Sequence, residues 1–191
     1  ALTFLSGARR QIFVVFAGFL MVEKFGYSVA AISVLFLINA ILSTLFASRI
    51  GRLIGVVGER TALVFEYAGL VIVFIAYAFV NNAQIAAGLY IVDHFFFALA
   101  IAIKTYFQKI ADPADIASSA GVAFTINHIA AVILPAILGV LWLNSPSGVF
   151  LVGAVLAGLS LILSLNIPLN PAHGNEVILG QRRITRPVSR L

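Results

Sequence analysis

Six runs of roughly twenty mostly apolar residues follow one another along this chain, and each is long enough to cross a bilayer as a helix. They fall at residues 1–22, 29–48, 61–80, 85–106, 118–143 and 149–167. Short breaks carrying turn or charge signals separate them: EKFGYS, RIGRLIGVVGER, NNAQ, QKIADPAD and NSPSG. The runs are solid Leu, Ile, Val, Ala and Phe, without the alternation a barrel strand needs. Helices, which satisfy their backbone groups internally, are therefore the expected spanning structure. Composition agrees: 62% of residues are hydrophobic and 10% charged, with mean hydropathy +1.10, against about 45–50% apolar and about 25% charged in soluble domains. The expected organisation is an all-α membrane bundle over 1–168, followed by a basic tail over 169–191.

A net charge of +5 would suggest nucleic acid as partner in a soluble protein. Here the positions of the cations point instead to membrane topology. The 49–60 break carries Arg49, Arg52 and Arg60, the end of the fourth run and its following loop carry Lys104 and Lys109, and the tail carries Arg182, Arg183, Arg186 and Arg190. The connections on the other side carry only Lys24. Lys and Arg accumulate on the cytoplasmic side, so the tail is expected in the cytoplasm of a bacterial inner (plasma) membrane protein. The tail itself, GQRRITRPVSRL, reads either as an anionic-lipid contact or as a solvated segment that enforces orientation. The chain begins at Ala1, its one methionine is Met21, and no signal-peptide pattern precedes the first run; it is read as a piece of a longer protein.

Several chemistries are excluded or unsupported. There are no cysteines, hence no disulfide, thiolate metal site or Cys nucleophile. No P-loop, HExxH pair, potassium-filter strand or G-x-S-x-G elbow occurs. No enzyme activity, cofactor or metal is expected.

The loop GRLIGVVGER, between the second and third runs, resembles the cytoplasmic loop motif of the major facilitator superfamily, G-x-L-x-D-R-x-G-R-R. Gly51, Leu53, Gly58 and Arg60 match; Gly55 stands at the acidic position, Val56 at the next basic one, and Glu59 replaces another basic residue. The stretch KIADPADIASSAGVAFTINHIAAVILPAILGVLW resembles the fourth-to-fifth helix connection of the same family and its small-residue-rich fifth helix. The resemblance implies one six-helix half, the C-terminal one, of a twelve-helix transporter. Each such half comprises two inverted three-helix repeats, with the substrate cavity between halves. It also implies that the first and fourth helices line that cavity, that the third is peripheral, and that the partner is an N-terminal half or a second copy.

Ionisable and amide groups within spans are functional candidates. The first span holds Arg9, Arg10 and Gln11, the fourth Asp93 and His94, the fifth Asn127 and His128. These seven are the candidate substrate contacts, and Asp93, His94 and His128 are the candidates for proton coupling. From the outward helix ends Arg10 lies about 18 Å deep and Asp93 about 13 Å, at 1.5 Å per residue, an offset a long Arg side chain bridges, so an Arg–Asp interaction across the cavity wall is expected. Two arginines against one aspartate leave excess positive charge, which favours an anionic solute. The blander alternatives are arginines snorkelling to the surface, a structural ion pair, and amides that bond across helices. Asn39 lies mid-span in the second run, and Glu66 is expected to pair with Arg60 or a loop group.

Three functions are open at this point. The first is secondary active transport of a small organic solute, anionic by preference, by alternating access with possible proton coupling. The second is efflux of apolar or cationic compounds by the same fold. The third is a non-transporting six-helix membrane subunit.

Overall fold

The computed structural model describes residues 1–179. Within them the chain forms six helices long and apolar enough to cross a membrane: α1 Leu2–Phe25, α2 Val29–Val57, α3 Glu59–Phe79, α4 Ala83–Ile110, α5 Pro113–Asn144 and α6 Pro146–Leu165. The turns between them use local chemistry. Gly26, at φ 67°, ends α1 in the left-handed conformation that glycine adopts without steric penalty. Ser28 Oγ accepts the Ala31 amide at 3.1 Å, and Asn82 Oδ1 accepts those of Gln84 and Ile85 at 2.8 and 3.1 Å. Both are side-chain caps on otherwise orphaned helix amides.

The expected 49–60 loop is mostly helix. Nothing in RIGRLIGVV stops a helix, so α2 continues to Val57 and Gly58 alone, at φ 84°, turns the chain into α3. The fourth span likewise runs on to Ile110, and only Ala111 and Asp112 separate it from α5, whose first turn, Pro113–Asp115, is 3-10.

α3 runs alongside α6 and also meets α4; α1 packs on α5 and α6; α4 packs on α2; α5 touches α6 and α2 touches α3. The third helix, expected at the periphery, is the most buried of the six within this chain, with 56% of its apolar window inside, against 11% for α2 and 17% for α5. Leu63, Leu70, Val73, Phe74 and Tyr77 of α3 fill the core with Ile12, Phe13 and Phe16 of α1 and Val149, Phe150 and Ala157 of α6. Gly153 admits the Phe74 ring against the α6 backbone, where a Cβ would collide with it. Small residues that let helices approach closely are a main source of association in lipid, where burial of apolar surface drives little.

Two helices are irregular. Five residues of α1, Phe13–Ala17, form a π-helical turn. α4 breaks between Ala83–Ala98 and Ile101–Ile110, at Leu99 and Ala100. At the rims, Lys24 Nζ donates to the Val80 carbonyl at 2.6 Å and to Asn81 Oδ1 at 2.8 Å, Trp142 Nε1 donates to Glu23 at 2.9 Å, and Lys109 pairs with buried Glu59 at 2.7 Å. After α6 the chain folds back. Tyr106 of α4 donates to the Glu176 carbonyl at 2.6 Å, and the Asn166 carbonyl accepts the Ile178 amide at 2.9 Å. Arg182, Arg183, Arg186 and Arg190 lie outside the described residues, so the two readings of the tail stand as expectations.

Candidate functional site

Adjacent positions on a helix point about 100° apart, and this separates the two arginines of α1. Arg9 turns inward and is 1% exposed, whereas Arg10 is exposed. Arg9 Nη2 lies 3.8 Å from Glu66 Oε1 of α3, its Nε donates to the Leu5 carbonyl at 3.2 Å, and its guanidinium sits over the Tyr67 ring at 4.5 Å. Glu66 is 0% exposed and Asp93, from α4, 4%. Arg9 and Glu66 thus form a buried pair between α1 and α3, and Asp93 is a further buried carboxyl on α4.

Glu66 therefore does not pair with Arg60 as expected. The two are six residues apart on α3, roughly 240° round the helix, where side chains do not meet. That spacing was the sequence signal pointing elsewhere for its partner. Tyr67, which sequence reasoning did not single out, and Tyr90, noted there only as an aromatic neighbour of His94, are buried as well. Both hydroxyls, both Glu66 oxygens and Arg9 Nη1 and Nη2 have no hydrogen-bond partner among the described residues.

One turn along α1 from Arg9, Phe13 opens the π-helical turn. Its ring packs on Tyr90 at 5.2 Å, Tyr77 at 5.4 Å, His94 at 5.8 Å and Phe74 at 6.3 Å. An aromatic layer thus adjoins the Arg9–Glu66 pair. π-helical turns recur at functional sites because the extra residue re-aims the side chains around it.

The remaining candidates are spread out. Arg10 places its guanidinium 5.2 Å from the Phe97 ring of α4 and has no carboxylate partner among the described residues. Gln11 is half-buried. His94 is half-buried, with Nδ1 3.1 Å from the Tyr90 carbonyl of its own helix. Asn127 presses its buried, unpartnered Oδ1 against Gly7 at the α1–α5 seam, in the space a Cβ would need. His128 is exposed, its Nδ1 2.9 Å from the Phe124 carbonyl, and lies apart from these buried groups. The structure thus connects Arg9 and His94 through Phe13, buries Asp93, and leaves His128 outside. Of the loop-motif residues, Gly51 and Leu53 are exposed on α2, Gly58 forms the turn, and Arg60 is half-buried in the first turn of α3. Among the described residues, no group of three His, Asp or Glu side chains is arranged to hold a metal ion.

No family model matches the chain, and no curated protein or solved structure matches it either. What its architecture defines is an all-α membrane protein of six helices able to span a bilayer, with a buried Arg9–Glu66 pair between α1 and α3 and a buried Asp93 on α4.

Proposed function

We propose that this chain is one six-helix half of a secondary transporter of the major facilitator type, moving a small organic anion by alternating access. Arg10 is the observation that carries the reading. It lies eight residues past the start of α1, roughly 12 Å along the helix at 1.5 Å per residue, and it is exposed. A guanidinium facing acyl chains at that depth costs several kcal/mol. A wet gap shared with a second bundle removes that cost. Arg9 already has Glu66 beside it, so Arg10 is the guanidinium left to bind an anion, with the geometry that carboxylates and phosphates prefer.

Other features support the same reading. Exchanging α1 with α4, α2 with α5 and α3 with α6 leaves the principal neighbour pairs unchanged, as two related three-helix repeats require. The two helices that correspond under this exchange, α1 and α4, are the two with interrupted backbones, and in repeat transporters such broken helices surround the site. The exposed faces of α2 and α5 suit a partner bundle.

Purified full-length protein in proteoliposomes, screened for uptake of radiolabelled small carboxylates and phosphate esters with and without a proton gradient, tests this. Arg10→Gln should lower uptake of the transported anion by roughly tenfold or more, the equivalent of one lost charged hydrogen bond, with insertion unchanged. Undiminished uptake removes Arg10 from the site. No uptake of any solute favours the non-transporting subunit. One observation favours the cation-efflux reading: Asp93, within the fourth span, is buried and has no ion-pair partner among the described residues. Cation resistance lost in Asp93→Asn but kept in Arg10→Gln would identify that case.

A further inference from the structure

At the rim opposite the arginine-rich one, four helix ends enclose a cavity of about 390 Å³, within the range of pockets that hold small molecules, about 300–1,000 Å³. The last turn of α1 supplies Glu23 and Lys24, the end of α3 Tyr77, the end of α5 Trp142, and the start of α6 Ser147 and Phe150. Most of the cavity's donors are already spent on the protein. Tyr77 donates to the Ala86 carbonyl and Ser147 to the Ala78 carbonyl, each at 2.6 Å. Trp142 Nε1 donates to Glu23 Oε2 at 2.9 Å, which holds the carboxylate at the cavity wall. The other oxygen, Oε1, accepts no hydrogen bond, and Glu23 has no ion-pair partner, among the described residues. Lys24 Nζ donates to the Val80 carbonyl at 2.6 Å and to Asn81 Oδ1 at 2.8 Å, and its third N–H is left over. The spare capacity of the cavity is therefore one carboxylate oxygen and one ammonium hydrogen, on consecutive residues of α1. The wall beside them is aromatic: Tyr77 stacks on Phe150 at 5.1 Å and Trp142 meets Phe150 at 6.1 Å.

We propose that this cavity binds a zwitterion, the ethanolamine-phosphate group, with its ammonium on Glu23 and its phosphate on Lys24. A carboxylate with a vacant oxygen calls for an N–H donor, which a primary ammonium has and a trimethylammonium lacks. A lysine with one N–H left suits a phosphate as a point charge. A ligand of one sign alone would be repelled by one of the two groups, whereas a zwitterion meets both. The position agrees with the chemistry. Glu23, Lys24 and Trp142 stand where their spans end, at the level where headgroups lie and indole rings gather. The same group has two sources, the headgroup of an ethanolamine phospholipid and free phosphoethanolamine in solution. Thirteen residues separate Glu23 from Arg10, roughly 20 Å along α1 at 1.5 Å per residue. The site is therefore distinct from the proposed anion contact and does not rest on the transport reading.

Native mass spectrometry reads the site on purified full-length protein, after incubation with equal amounts of phosphatidylethanolamine and phosphatidylcholine of the same acyl chains. The wild type should retain the ethanolamine lipid roughly tenfold over the choline lipid, about the effect of one charged hydrogen bond. Glu23→Gln keeps an oxygen for Trp142 to donate to but removes the charge, and it should bring the two lipids level. Lys24→Gln should lower retention of both alike, since both carry the phosphate. Glu23→Asp serves if the amide variant does not insert; it keeps the charge on a shorter side chain and should reduce the preference without abolishing it. Free phosphoethanolamine, added alone, separates the sources. Its retention by the wild type and loss in Glu23→Gln, without any lipid preference, would assign the site to the soluble compound. Equal retention of both lipids with no retention of phosphoethanolamine, or a preference that Glu23→Gln leaves intact, overturns the proposal. The readout involves no uptake, so failure here leaves the transport reading standing, and failure of that reading leaves this site standing.

Discussion

At the scale of single residues, the chain shows how one step along a helix separates two chemistries. Arg9 and Arg10 are neighbours in sequence, yet one is sealed against Glu66 and Tyr67 and the other lies open beside Phe97. That both arginines lie within a span was legible from their position, but the expectation was a cavity-facing pair with Arg10 meeting Asp93, whereas Arg9 is buried against Glu66. Which arginine turns inward, and toward which acid, was not legible, because that depends on the rotation of α3 and α4 against α1, and apolar side chains on every face of those helices leave their rotation unmarked. Close packing is similarly invisible until helices are docked. Gly153 and Gly158 both belong to α6, but a Cβ at Gly153 would fall on the Phe74 ring whereas one at Gly158 meets nothing. Gly153→Val should therefore destabilise the protein by roughly 1–3 kcal/mol, the range for overfilling a packed interior. Gly158→Val should change little. Thermal unfolding midpoints of the two variants in one detergent would make the comparison, and equal midpoints would show that α3 and α6 are not in the contact described.

At the scale of elements, six helices were plain in the sequence because hydropathy alone fixes where a chain can cross a bilayer. Their ends were less so. Polar and basic residues between 49 and 57 mark the water interface, and an interface does not end a helix; the chain simply carries α2 beyond the apolar zone. The π-helical turn in α1 left no mark in FVVFA, which contains no helix-breaking residue. The glycines of GRLIGVVG consequently play different parts. Gly58 holds φ 84°, while Gly51 and Gly55 are exposed interior positions of α2 with open space around them. Gly58→Ala should cost about 1 kcal/mol or more, because a Cβ disfavours that backbone region. Gly55→Ala should gain about 0.5–1 kcal/mol of helix stability. Unfolding in detergent measured on both would decide. A neutral Gly58→Ala would mean that the one-residue turn between α2 and α3 is not formed.

At the scale of the whole molecule, an even number of crossings puts both ends of the bundle on one side, and the cations choose which side that is. The rim formed by the end of α2, the start of α3 and the end of α4 carries Arg49, Arg52, Arg60, Lys104 and Lys109, against Lys24 at the opposite rim. Glu59 pairs with Lys109, which leaves the excess positive. Moving such a rim across the membrane opposes both dehydration of the cations and the membrane potential, about 2.3 kcal/mol per charge at 100 mV. The rim should therefore stay cytoplasmic. The absence of native cysteine permits a direct measurement. Asn81, exposed in the α3–α4 turn, and Asp112, exposed in the α4–α5 turn, lie at opposite ends of α4. Asn81→Cys should react with an impermeant maleimide in intact cells, and Asp112→Cys only after permeabilisation. The reverse pattern would place the arginine-rich rim outside and overturn the orientation. Labelling of both from outside would mean that α4 does not cross the membrane, and the buried Arg9, Glu66 and Asp93 would then have no bilayer to lie within.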